Sequence, residues 1–133
     1  MAMGYVPYEL ATKGSVLDIE INGSGKEKLD FTYIEDFMSG LILCCEKENA
    51  KNQTFNLTYG KSREINDLIK ILKNIFPKIK VTYKNKEKFM PERGTLKIDK
   101  AKKLLGYDPQ YAIEKGYTKY IDWYKGFWDQ FQK

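Results

Sequence analysis

Residues 16–21 (VLDIEI) alternate apolar and acidic side chains, the period-two signature of a strand with one packed and one wet face. NGSGKEK follows as a turn, and LDFTYI continues extended. From about Glu35 the period lengthens: Phe37, Met38, Leu41, Ile42 and Cys45 recur at three- and four-residue spacing, which predicts a helix. Glu35 and Asp36 then fall in its first turn, where exposed backbone N–H groups and the helix dipole favour negative charge. KNQT ends that region, TFNLTY (54–59) predicts a second strand, and Gly60-Lys61-Ser62 a turn. Ile65, Leu68, Ile69, Leu72, Ile75 and Phe76 share one face of the next helix, which Pro77 stops. KIKVTYK (78–84) alternates as a strand, and a polar loop runs to about Gly94. Asp99 is placed to cap a short helix through Leu105, closed by Gly106 and Pro109. Tyr117, Tyr120, Trp123, Tyr124, Phe127, Trp128 and Phe131 form an aromatic stripe on a C-terminal helix. At helical spacing such a stripe predicts core packing in preference to a base-stacking platform.

The chain has 133 residues, enough for one domain with a sizeable core and too few for two, so residues 1–133 are expected to form a single unit. Hydrophobic residues at 42% and charged residues at 31% fit a soluble folded protein. The longest apolar run, 41–45, is far short of a membrane span. Met1-Ala2-Met3 opens neither the charged nor the apolar part of a signal peptide, and the expected location is cytoplasmic.

Cys44 and Cys45 are the only cysteines; as helix neighbours their side chains diverge, so they are expected to be small buried hydrophobes and not a metal or redox pair. No histidine is present, which excludes imidazole general bases, zinc sites built on histidine and histidine-dependent serine triads, and no metal site is expected. The net charge of +5 raises the question of a polyanionic partner. Its lysines are spread, densest over 78–103, and the only arginines are Arg63 and Arg93. That distribution argues against sequence-specific nucleic-acid recognition.

Three short motifs resemble chemistry. Tyr111 and Lys115 match Y-x-x-x-K, in which lysine lowers a phenol pKa for proton exchange with an alcohol. Here the pair follows LGYDP with no nucleotide-binding loop ahead of it. Gly60-Lys61-Ser62 lies where a phosphate-cradling loop would, but the required earlier glycine is Phe55. Gly23-Ser24-Gly25 has Lys28 at the third glycine position of a dinucleotide fingerprint and precedes a strand, so it reads as a turn.

Four segments taken in order, NGSGKEKLDFTYIEDFMSGLI, TFNLTYGKSREINDLIKIL, RGTLKIDKAKKLLGYDP and GYTKYIDWY, resemble the C-terminal part of extended short-chain dehydrogenase/reductases. The similarity is to NAD-dependent sugar-nucleotide epimerases and dehydratases, with their pattern G-x-G, R-D-F-x-Y-V-x-D, F-N-I-G, D-x-S-K-A and L-G-Y/W-x-P. It runs from about Val16 to the end and takes in a preceding helix at YELATKG. It implies an α/β fold: a small mixed lobe of about three to four strands with helices, without the dinucleotide-binding half of the Rossmann-type enzyme. It implies also that NAD belongs to the full-length family enzyme, that this chain alone carries no catalytic residues and holds no cofactor, and that it is inactive alone.

The resemblance implies binding roles as well. The family arginine of R-D-F, which contacts the nucleotide pyrophosphate, is Leu29 here; Lys28 beside it offers a point charge. Lys97 stands at the aspartate of D-x-S-K-A, and Asp99 at its serine. Arg93 falls near the basic residues that reach a phosphate. Asn56 matches the asparagine of F-N-I-G, which ties a strand end to a neighbouring loop, and Ser62 lies in the turn that lines the ribose and base. Lys28, Asn56, Ser62 and Arg93 are thus the candidate substrate-binding residues. The implied partners are a weakly bound nucleoside-diphosphate sugar and, through exposed apolar surface, either the Rossmann lobe or a second copy of the chain. A stand-alone protein-interaction module and a basic nucleic-acid binder remain the alternatives.

Overall fold

A computed structural model describes residues 18–86 and 91–131, without the side chains of 128–131. The expected helix at YELATKG, the start of the first strand at Val16, and Trp128 and Phe131 of the aromatic stripe lie outside what is described. Strands β1 (Asp18–Asn22) and β4 (Lys80–Lys84) pair in parallel, with Ile19 opposite Val81 and Ile21 opposite Tyr83. Two-residue strands β2 (Lys28–Leu29) and β3 (Arg63–Glu64) pair antiparallel. The helices are α1 (Ile34–Glu46), α2 (Ile65–Ile75), α3 (Asp99–Leu105) and α4 (Ile113–Phe131), with a 3-10 turn at Glu48–Ala50. This is the mixed α/β arrangement expected.

Two apolar clusters hold these elements. The larger joins Ile21 of β1, Leu68, Ile69 and Leu72 of α2, Ile79, and Ile113, Tyr117 and Ile121 of α4. The face foreseen for α2 is the face that packs, with Ile65, Ile75 and Phe76 partly buried at its margin. The N-terminus of α2 closes with a capping box in which Glu64 and Asp67 each accept the other's backbone N–H. The smaller cluster joins Ile98, Ala101, Leu105 and Tyr107, backed by Leu43, Cys44, Phe55 and Leu57.

Four expectations change. Residues 54–59 do not enter a ladder among the described residues. Phe55 and Leu57 do turn to the core as the alternation requires, but Tyr59 N–H is bound by the Thr32 hydroxyl (3.3 Å) in place of a neighbouring strand. Asp99 is the first helical residue of α3 and makes no cap; the capping position is Ile98. Gly106, at φ +74°, closes that helix in the left-handed region as expected. Cys45 is exposed and only Cys44 packs, because α1 turns a single narrow face to the core. Trp123 is 58% exposed and Phe127 40%; the stripe winds off the packed face of α4, so the core assignment holds for Tyr117 and fails for these two. Glu35 and Asp36 lie in the first turn of α1 as expected, and Asp36, 3% exposed, is in addition engaged in tertiary bonds.

Candidate functional site

The Asp30 carboxylate gathers three segments. Its Oδ2 accepts the Thr58 hydroxyl (2.9 Å) and the Leu96 N–H (3.1 Å), and its Oδ1 accepts the Gly60 N–H (3.2 Å). Gly60 sits at φ +77°, and a Cβ there would lie 2.7 Å from Ile98 Cδ1, so both the backbone and the contact demand glycine. Two further ties join the same strips of chain. Ser62 N–H donates to Thr95 Oγ1 (2.9 Å) and the Thr95 hydroxyl donates back to Ser62 Oγ (2.8 Å). Asn56 Nδ2 donates to the Lys97 carbonyl (3.0 Å).

Two of the four candidate residues belong to this hydrogen-bonded edge, and two stand near it in the sequence. Asn56 and Ser62 are in it, and Asn56 makes the tie to a neighbouring loop that the family pattern implies. Arg93 is exposed, two residues before Thr95. Lys28 is exposed on β2, two residues before Asp30 and opposite Glu64. Sequence reasoning missed Asp30 and Thr95. The available signal was Asp30 itself, an acid flanked by apolar residues in an extended run and the part of R-D-F that this chain keeps.

Arg63, opposite Leu29 on β3, is committed elsewhere. Its Nε meets Asp67 at 3.0 Å and its Nη2 meets Glu114 at 2.6 Å, which clamps the start of α4 to the start of α2. The Glu114 bond foremost, then Asp67, raises the Arg63 pKa, and Arg63 holds both carboxyls below their usual range.

The Y-x-x-x-K pair is a packing unit. Lys115 Nζ lies 4.3 Å from the centre of the Tyr111 ring, over its face instead of near its hydroxyl, and Lys119 Nζ lies 4.7 Å from the same centre. Tyr33 packs on Tyr111 at 4.8 Å, and Lys119 bonds Glu35 at 3.0 Å. The Tyr111 hydroxyl first, and Lys119 next, hold the Glu35 carboxyl low. The Gly23–Gly25 turn does not fit a dinucleotide pyrophosphate. It is filled by Glu27, whose carboxylate accepts Ser24 N–H at 3.0 Å and would repel a pyrophosphate. Among the described residues no group of histidine, cysteine and acidic side chains has metal-site geometry, and no helix is long and apolar enough to cross a membrane.

No protein-family profile matches the chain. Over 109 residues it is 36% identical to UDP-glucuronate 4-epimerase of Thermodesulfobacterium geofontis, a match that covers 80% of this chain and 33% of that protein. The crystal structure of Thermotoga maritima UDP-glucose 4-epimerase with UDP-glucose superposes with a TM-score of 0.76 at 28% identity, over 90% of this chain and 38% of that one. Bacillus cereus UDP-glucuronic acid 4-epimerase, in complex with UDP-glucuronic acid and NAD, gives 0.75 at 26% identity over the same shares. The chain belongs to the NAD-dependent sugar epimerase/dehydratase family. It corresponds to the C-terminal part of these extended short-chain dehydrogenase/reductases and spans about a third of the length of the curated relatives it matches. Within the family, the edge around Asp30 is formed by the motifs the sequence shares with it, R-D-F, F-N-I-G and the loop ahead of D-x-S-K-A, with Leu29 in place of the arginine.

Proposed function

We propose that this chain, as a single domain over residues 1–133, is the sugar-nucleotide-binding lobe of an NAD-dependent nucleoside-diphosphate-sugar epimerase or dehydratase. The observation that supports it most is the 36% identity to a UDP-glucuronate 4-epimerase across 80% of the chain. In this reading Arg93 and Lys28 supply charge to the diphosphate, Ser62 lines the ribose side, and Asn56 fixes the strip that carries Ser62. The guanidinium fork lost at Leu29 leaves point charges where a bidentate grip would be, so affinity of the chain alone is low. The glycine-rich cradle for NAD and the proton-transferring tyrosine are contributed by the dinucleotide-binding lobe of the family enzyme, and the chain alone is catalytically silent.

That lobe is also the partner of the exposed apolar face of α1. Ile34, Phe37, Met38, Leu41 and Ile42 are all at least 41% exposed and recur on one side of the helix. Beside α1 runs 54–57, extended, with no backbone–backbone hydrogen bond among the described residues. An apolar helix face next to an unpaired extended strip suits the edge of a sheet with its own packed layer.

The test is titration of isotope-labelled chain with UDP-glucose and, separately, NAD. UDP-glucose should shift amide signals of Ser62, Thr95 and the 91–97 loop, and Arg93→Ala should weaken that response. Tight NAD binding, or a UDP-glucose response indifferent to Arg93, would end this assignment.

A further inference from the structure

We propose that Asp30 is a positioning residue, whose carboxylate sets the 91–97 loop, and with it Arg93, for a nucleoside diphosphate. The inference rests on the sugar-nucleotide reading above and concerns how its site is held. The loop lies outside every helix and strand, and among the described residues 91–97 makes no backbone–backbone hydrogen bond. Three ties to it run through side chains: Asp30 to Leu96 N–H, Ser62 with Thr95, and Asn56 to the Lys97 carbonyl. Asp30, which belongs to neither wall, also grips the facing strip, at Thr58 and Gly60, so its carboxylate bridges the two walls that Ser62–Thr95 and Asn56–Lys97 join directly.

The chemistry demands a carboxylate. Three donors converge on its two oxygens, two on Oδ2 and one on Oδ1, and a carboxylate is acceptor-only. In asparagine one oxygen becomes an NH2 group that faces N–H or O–H donors and leaves at least one of them without an acceptor. Its accepting oxygens are turned to the protein's own donors, so Asp30 acts on a diphosphate through the loop and not by touching it. Arg93, three residues before Leu96, is carried by the segment that Asp30 anchors.

The decisive experiment is a double-mutant cycle with UDP as the probe, followed by amide chemical shifts and hydrogen exchange. Asp30→Asn should speed exchange at Gly60 and Leu96 and weaken UDP binding about tenfold, whereas in an Arg93→Ala background the same change should weaken it less than about twofold. Thr58→Val, which removes one donor and keeps the carboxylate, should leave Leu96 protected and UDP binding within about twofold of wild type. It controls for a fold merely loosened at the edge. Equal losses in both backgrounds, or lost protection at Leu96 with UDP binding intact, would overturn the positioning role. No response of the wild-type chain to UDP would remove the site itself, and the role with it. That outcome is distinguishable because it appears before any substitution is made.

Discussion

Asp36 and Tyr111 lock the first turn of α1 to the connector that leads into α4: Asp36 Oδ2 accepts the Tyr111 N–H at 2.9 Å, while Oδ1 accepts the Gln110 N–H at 2.7 Å. Both donors are spent on one buried carboxylate, so its removal strands them. We predict that Asp36→Ala lowers stability by about 2–4 kcal/mol and that Asp36→Asn, which retains one acceptor, costs about half of that. Urea denaturation midpoints at constant slope measure both.

Tyr107 is 1% exposed, and its hydroxyl has no hydrogen-bond partner among the described residues; burial pushes its pKa up to about 12. Removing an unpaired buried hydroxyl removes a desolvation cost. Tyr107→Phe should therefore leave stability unchanged or raise it by up to about 1 kcal/mol, whereas Tyr107→Ala should cost about 3–5 kcal/mol through the cavity it opens. A drop on Tyr107→Phe would reveal a partner for that hydroxyl. Gly40 beside it is the tight side of the same contact. A Cβ there would meet Leu57 Cδ2 at 2.8 Å and Tyr107 Cε2 at 2.9 Å, so Gly40→Ala is expected to destabilise by about 1–3 kcal/mol despite favouring helix.

The Arg63 clamp predicts an acid-sensitive dock of α4 on α2. Glu114 and Asp67 are held below their ordinary values of 4.5 and 3.8, so the stability they contribute is complete above those values and is lost as pH falls through the lower folded ones. Arg63→Met should flatten the acid limb of a melting-temperature profile below pH 4.5 and change little at neutral pH beyond the loss of the clamp. An identical acid limb in wild type and variant would mean that other carboxylates govern it.

The apolar face of α1 should make the isolated chain associate as its concentration rises. Leu41→Glu with Ile42→Lys, both at exposed positions, should yield a monomer at every concentration with an unchanged melting temperature. Light scattering coupled to size exclusion checks it; a wild-type chain that stays monomeric throughout would show that this face is covered.

Leu29→Arg restores the guanidinium of the family pattern but sets it opposite Arg63 across the β2–β3 pair. A like-charge pair at that spacing costs a few tenths of a kcal/mol to about 1 kcal/mol, so the variant should melt lower while UDP binds more tightly at low salt. Tighter binding without the salt dependence would argue against a phosphate contact at position 29.

The packed face of α2 and the existence of strands β1 and β4 were legible in the sequence, since 3.6- and two-residue periods follow directly from where side chains project, whereas their parallel pairing was not. The Gly106 stop was legible too, because few other residues adopt a positive φ cheaply. The strip 54–59 shows the limit. Its alternation correctly turned Phe55 and Leu57 inward, but whether an extended strip joins a ladder depends on what lies beside it, and Asp30 and Thr32 side chains hold its end instead. The candidate site was only half visible: Lys28, Asn56, Ser62 and Arg93 came from a motif pattern, and Asp30 did not.

The sequence by itself determined the elements, their polar and apolar faces and the family pattern, because those depend on spacing along the chain. Only the tertiary structure decided which acid does what. Glu35 and Asp36 are adjacent and chemically alike, yet one meets Lys119 at the surface and the other is buried on two backbone N–H groups seventy-odd residues away. A carboxylate's role is set by the donors that long-range packing brings to it, and no local pattern records them.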